Sequence, residues 1–256
     1  MLKILNFLFT FILLIPFSYA YSRPLPDLIK TIKPSIVGIG TYQGSRRPPS
    51  RLSGTGFVVS NGQYVITNHH VLPKDINLNK REKLVIFYNE NKKVHYNSVK
   101  IIDVDKKHDL ALLKIIGKKF PALSIGHSEK PQEGEEIFFI GFPIGAVLGL
   151  FPVTHRGIIS AISPVGIPVS SSSQLTSKMI NRLKNAYEIY QLDATAYPGN
   201  SGSPLLSLKT GKVIGVINKV FIKESKESVI QKPSGITYAI PGKFVRKILQ
   251  KNHLTR

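Results

Sequence analysis

The chain has 256 residues, 42% of them apolar, which is room for one large or two small domains with a buried core and argues against disorder over the whole length. Its 35 Lys and Arg against 15 Asp and Glu leave a formal charge of +20. Cysteine is absent, which excludes disulfide scaffolds, Cys-ligated zinc, thiol redox chemistry and a cysteine nucleophile.

Residues 1–20 read as a secretory leader. Lys3 supplies the positive start, residues 4–17 are almost wholly apolar, and Ser18-Tyr19-Ala20 ends in the small residues a signal peptidase reads. The apolar run is short for a membrane span. Short β-runs follow at 35–40, 56–60, 64–67, 83–88, 94–103, 110–115, 136–141, 154–162, 191–195, 202–206, 213–218 and 235–240. They are rich in Val, Ile, Phe and Tyr and bounded by Gly, Pro and Asn. Many short strands and few helices favour a sandwich or barrels.

Between the strands, Arg46-Arg47-Pro48-Pro49 predicts an exposed basic loop, and 118–135 a link between two halves. Leu175, Met179, Leu183 and Tyr187 recur every fourth residue and predict a helix over 174–191. Phe244, Val245, Ile248 and Leu249 predict a terminal amphipathic helix just after Pro241-Gly242.

The positive charge is scattered, with no run of five cations and no zinc-finger or RNA-binding motif beside it. A solvated basic surface is expected, able to adhere to anionic envelope components, and specific nucleic-acid recognition is not. No metal or cofactor is expected. The seven histidines lack the i, i+4 spacing of a helical zinc pair, and the adjacent His69 and His70 would point to opposite sides of a strand. No phosphate loop or dinucleotide fingerprint is present.

The chemistry concentrates in three segments. In Gly199-Asn200-Ser201-Gly202-Ser203-Pro204, flanking glycines let the backbone turn tightly and aim N–H groups at one point, where an oxyanion forms if Ser201 attacks a carbonyl. A serine needs a base to take its proton, and Thr67-Asn68-His69-His70-Val71 offers one at a strand end. His108-Asp109-Leu110-Ala111-Leu112-Leu113 offers an acid to orient the imidazole and stabilise its charged form. Each segment is weak alone; together, in the order His, Asp, Ser, they point to acyl transfer.

These segments resemble a trypsin-fold serine protease, closest to the HtrA/Deg-type group. Ser53-Gly54-Thr55-Gly56-Phe57-Val58-Val59 resembles the family's Gly-rich strand. Thr67-Asn68-His69-His70-Val71 resembles its Thr-Asn-x-His-Val motif, which selects His70 over His69. Asp109-Leu110-Ala111-Leu112 and the closing strand 235–241 match as well. The resemblance implies an all-β fold of two six-stranded barrels with a terminal helix, here 21–125 and 126–256, and an active site between them. It implies Ser201 as nucleophile, His70 as base and then acid, Asp109 as orienting acid, and the backbone N–H groups of Gly199 and Ser201 as oxyanion hole. His70 must be neutral to act, so acylation is expected to slow as pH falls through the usual histidine range, about 6–7.

Three departures stand out. HtrA-type proteins usually carry a PDZ domain after the protease domain, and this sequence ends after the terminal helix, so PDZ gating is not expected. Ser203 stands where the family usually has Gly, as in glutamyl endopeptidase-like relatives. The segment 166–190 is long enough to shape the cleft. Glutamate-specific relatives place a His where Ile217 stands, and trypsin-like specificity needs an acid where Thr195 stands. Thr195, Ala196 and Ile217 therefore predict a pocket for small or medium apolar side chains, with Asn218 and its neighbours offering backbone to a bound peptide as an added strand. The expected partners are protein or peptide substrates, after export to the periplasm or medium. The alternative is an inactive protease fold used for binding at the envelope.

Overall fold

The structure is a computed structural model that describes residues 23–126, 131–143, 150–165, 186–218 and 236–254. The expected leader and most of the expected helix at 174–191 lie outside these residues. The elements are α1 (Leu25–Ile32), β1 (Ile36–Tyr42), β2 (Ser50–Val59), β3 (Tyr64–Asn68), β4 (Lys83–Glu90), β5 (Lys93–Asp105) and β6 (Leu110–Ile115), then β7 (Glu136–Gly141), β8 (Val153–Pro164), β9 (Glu188–Asp193), β10 (Pro204–Ser207), β11 (Val213–Asn218), β12 (Ile236–Pro241) and α2 (Gly242–Lys251).

Two antiparallel barrels close, one in the order β1-β2-β3-β6-β5-β4 and the other β10-β11-β12-β9-β8-β7. This is the pair of six-stranded barrels with a terminal helix that the resemblance implied. Closure leaves neither sheet with an open edge.

The strands are apolar on both faces for a reason. β2 sends Val58 into the first barrel but Phe57 and Val59 outward; β6 sends Ala111 and Leu113 inward but Leu110 and Leu112 outward. β7 divides in the same way, with Ile137 and Phe139 inside the second barrel and Phe138 and Ile140 outside it. The outward sets meet in one cluster between the barrels, joined by α1 and α2. Strands covered on both faces read as continuous apolar runs. Phe57 and Phe138 are fully buried there, each contributing about 1.5–3 kcal/mol.

Helix α2 buries the expected Phe244, Val245, Ile248 and Leu249 in that cluster. Its Phe244 stacks on His108 at 3.8 Å, and Lys251 Nζ lies 2.8 Å from Asp103 Oδ2. The terminal helix is thereby tied to β5 and to the loop that precedes Asp109. Helix α1 was not anticipated from the sequence, although Leu28 and Ile32, one turn apart, are its buried face.

Three local expectations are corrected. Residues 188–191, expected as the end of a helix, belong to β9, because pairing with both β8 and β12 outweighs the four-residue spacing. The strand expected at 202–206 begins only at Pro204, since Gly202 sits in a turn at φ +88°. The loop expected to be exposed at 46–49 is so at Arg47 and Pro48, but Arg46 is half-buried: it pairs with Glu82 at 2.8 Å and donates to the carbonyls of Thr41 and Pro49.

Candidate active site

β3 and β6 are neighbours, with Asn68 opposite Leu110, so the residues just beyond each end fall side by side. β3 ends at Asn68, inside the motif expected at a strand end, and runs into a single 3-10 turn at His69–Val71, so the alternation argument for the two histidines does not apply. Asp109 precedes β6 with φ +51°, a left-handed conformation that Asp tolerates better than most residues. Its backbone carbonyl accepts from His69 N–H at 3.1 Å and from Asn68 Nδ2 at 3.0 Å. Its Oδ1 accepts from His70 N–H at 2.9 Å, and its Oδ2 lies 2.6 Å from His70 Nδ1. A carboxylate only accepts, so Nδ1 carries the proton and Nε2 is left to take another.

A fifth donor reaches Asp109 from the second barrel. Asn218 ends β11 fully buried, and its Nδ2 donates to Oδ2 at 2.7 Å. Burial pushes the Asp109 carboxyl up, but the His70 hydrogen bonds and charge and the Asn218 amide outweigh it and hold the group below the ordinary carboxylate range. The acid is therefore ionised and its orientation over-determined.

Ser201 lies in a turn built on the second barrel. Asn200 N–H donates to the Tyr197 carbonyl and Ser203 N–H to the Asn200 carbonyl, both at 3.0 Å. Gly199 at φ +100° and Gly202 at φ +88° supply the left-handed conformations this turn needs. Behind it, Gly202 N–H donates to Ile217 O and Ile217 N–H to Ser203 O, each at 2.9 Å. The turn also reaches the first barrel, where Thr55 N–H donates to Ser201 O at 2.9 Å. Gly54, beside Thr55, is the point of convergence. A Cβ there would lie 2.7 Å from a methyl of Val71, the residue after His70, and 3.0 Å from Ser201 O. Any side chain at 54 would push the histidine turn and the serine turn apart.

The profile of the trypsin-like peptidase domain matches residues 54–216, which take in His70, Asp109 and Ser201. The chain belongs to the trypsin-like peptidase family. It is 32% identical over 216 residues to a probable periplasmic serine endoprotease DegP-like of Chlamydia trachomatis, covering 84% of this chain and 37% of that protein. It is 30% identical over 233 residues to serine protease HTRA1 of Xenopus tropicalis, covering 90% of this chain and 43% of that protein. The crystal structure of the serine endoprotease from Yersinia pestis superposes with a TM-score of 0.59 at 25% identity, over 88% of this chain and 65% of that one. This chain thus spans less than half the length of the two sequence relatives.

Within this peptidase fold the residues expected around a substrate pocket take distinct places. Ile217 and Ala196 are buried and belong to the apolar core of the second barrel, while Thr195 is half-buried. Asn218 turns its side chain to Asp109. Thr237, on β12, closes the region: its hydroxyl accepts from Ala196 N–H at 3.0 Å and donates to the Ala194 carbonyl at 2.5 Å. Beside His70, a depression of about 310 Å³ opens on the first barrel, with Arg51, Lys74, Asp75 and Glu82 among its walls.

Behind the serine turn, Ser203 meets β7. A Cβ on Gly141 would lie 2.1 Å from Ser203 Oγ, so the extra hydroxyl at 203 is accommodated only because 141 has no side chain. Asn200, fully buried, places Nδ2 3.3 Å from His155 Nε2. The His155 ring stacks on Phe139 at 4.7 Å, and burial pushes its pKa below the usual histidine value.

Reading the sequence did not single out the side chains of Thr55, Thr67, Asn68, His155 and Thr237 as part of this site. Thr55, Thr67 and Asn68 stood inside recognised motifs, the one available signal. The others act through partners far away in the chain.

Proposed function

We propose that the chain is an exported serine endopeptidase that hydrolyses peptide bonds in proteins through Ser201, His70 and Asp109. The observation that carries this reading is the 2.6 Å His70–Asp109 pair on the first barrel, together with a glycine-flanked Ser201 turn hydrogen-bonded to that same barrel. Family membership and the serine endoproteases among its relatives support it.

In this reading Ser201 Oγ attacks the scissile carbonyl while His70 Nε2 takes its proton. Asp109 keeps Nδ1 protonated and stabilises the imidazolium. The backbone N–H groups of Gly199 and Ser201 receive the developing oxyanion. His70 then gives its proton to the leaving amine, and the acyl group stays on Ser201. Water, deprotonated by His70, releases the acid and restores the serine.

Cleavage after small or medium apolar residues follows from a pocket region with Thr195 in place of an acid and Ile217 in place of a histidine. The backbone beside Asn218 would pair with the substrate as an added strand. Export rests on the leader pattern at 1–20 and on the periplasmic relatives.

Fluorophosphonate labelling of the purified chain tests the reading, because the probe reports an activated serine without a known substrate. Labelling is expected in the wild type and absent in Ser201→Ala. A folded wild type that stays unlabelled, and cleaves unfolded protein no faster than Ser201→Ala, would favour a binding role instead.

A further inference from the structure

We propose that Thr55 is a positioning residue that sets the serine turn from the opposite barrel. The inference rests on Ser201 being the nucleophile of the reading above. Thr55 lies in β2, fully buried, and all three of its polar groups are engaged. Its N–H donates to Ser201 O at 2.9 Å. Its hydroxyl donates to Gly199 O at 2.7 Å and accepts from Phe142 N–H at 3.0 Å. Its carbonyl accepts from the hydroxyl of Thr67 at 2.6 Å.

The geometry follows from donor and acceptor capacity. A hydroxyl has one proton, and the Phe142 N–H already occupies one of its lone pairs, so the proton goes to Gly199 O. The carbonyls of residues 199 and 201 are then both held by one residue, on either side of Asn200. Neither peptide plane can rotate without breaking a buried hydrogen bond. The Ser201 N–H lies between the two anchors, and the Gly199 N–H next to them. These are the two donors assigned to the oxyanion.

The same residue also registers the serine against the histidine. Thr67 stands three residues before His70, and its hydroxyl binds Thr55 O. Gly202 packs onto this junction so closely that a Cβ there would lie 2.0 Å from Thr55 O and 2.5 Å from Thr67 Oγ1. Two hydroxyls thus connect the turn that carries Ser201 to the strand that leads to His70.

The test compares wild type, Thr55→Val and Thr55→Ser, with Ser201→Ala as the inactive reference. Valine keeps the branched shape and removes the hydroxyl; serine keeps the hydroxyl. Two readouts are taken: the rate of fluorophosphonate labelling, with kcat and KM on a cleaved peptide, and amide hydrogen exchange over residues 199–203. In Thr55→Val, labelling and kcat are expected to fall about 10–100-fold, less than the loss of an oxyanion donor itself, with KM little changed. Exchange at Asn200, Gly202 and Ser203 is expected to rise about tenfold or more, the loss of a buried hydrogen bond. Thr55→Ser is expected to stay within about threefold of wild type on both readouts.

A folded Thr55→Val that labels and exchanges like wild type overturns the proposal. So does a Thr55→Ser as impaired as Thr55→Val, since the hydroxyl would then not be the cause. If Thr55→Val does not fold, Thr55→Ala is read against Thr55→Ser in the same way. If the wild type itself fails to label, the nucleophile reading fails, and exchange alone decides whether Thr55 holds the turn.

Discussion

The contact between Gly141 and Ser203 makes a double substitution more informative than either single one. In Gly141→Ala the new Cβ would meet Ser203 Oγ at 2.1 Å, Asn200 Oδ1 at 2.8 Å and Thr55 Oγ1 at 3.0 Å. Overpacking of this kind costs about 1–3 kcal/mol. Ser203→Gly removes a buried hydroxyl that has no hydrogen-bond partner among the described residues. That relief, about 1–3 kcal/mol, is set against about 0.5–1 kcal/mol of added backbone entropy in the unfolded chain. The single variant is therefore expected to match or slightly exceed wild type in stability.

In the double variant only the 2.8 and 3.0 Å contacts remain. It is expected to recover about 1–2 kcal/mol of the Gly141→Ala loss, a coupling in the range seen for touching residues. Urea unfolding of all four proteins measures it, and fluorophosphonate labelling follows the serine turn in parallel. Labelling is expected to drop about tenfold or more in Gly141→Ala, since each 1.4 kcal/mol at the turn is worth a factor of ten, and to return in part in the double variant. Stabilities that add within about 0.5 kcal/mol would refute the steric account of Gly141.

Asn218→Leu removes the donor that links the second barrel to Asp109. Hydrogen bonds to charged groups are worth about 1.5–3 kcal/mol, so kcat/KM is expected to fall about 10–150-fold with little change in KM. An unchanged kcat/KM in a folded variant would remove Asn218 from the orienting network. His155 supplies the pH prediction. Its pKa is lowered in the folded state by burial, so the unfolded chain binds this proton first as pH falls. The stability contribution is complete above the unfolded value near 6.5 and is lost as pH drops through the folded value. His155→Gln is expected to flatten the decline of urea midpoint between pH 7.5 and 5. Parallel declines in the two proteins would mean that His155 titrates the same way folded and unfolded.

The strand runs were legible because most of them are covered on both faces and therefore carry unbroken apolar sequence. β6 and β11 coincide with their expected bounds, and α2 lies where its apolar stripe placed it. The elements that misled were those whose local pattern competes with pairing. The fourfold spacing of Leu175, Met179, Leu183 and Tyr187 carries the expected helix on to Gln191, yet β8 pairs with residues 188–191 and β12 with Tyr190 and Gln191. Gly202 looks like the start of a strand, but its positive φ and the closeness of Thr55 O keep it in a turn. Helix α1 is only eight residues long, and its two buried residues are meaningful only against the inter-barrel cluster.

For the site, the sequence by itself marked the candidates: a serine in a glycine-flanked turn, a histidine just past β3 and an aspartate just before β6. Pairing of β3 with β6 in the barrel makes the last two neighbours. Which groups hold these three in place was decided only by the tertiary structure. Thr55 is separated from Gly199 by 144 residues, and Asn218 from Asp109 by 109. Threonine and asparagine are common polar residues with no periodicity to mark them. Their role comes from burial, which leaves each donor and acceptor few partners and makes each unmade hydrogen bond costly.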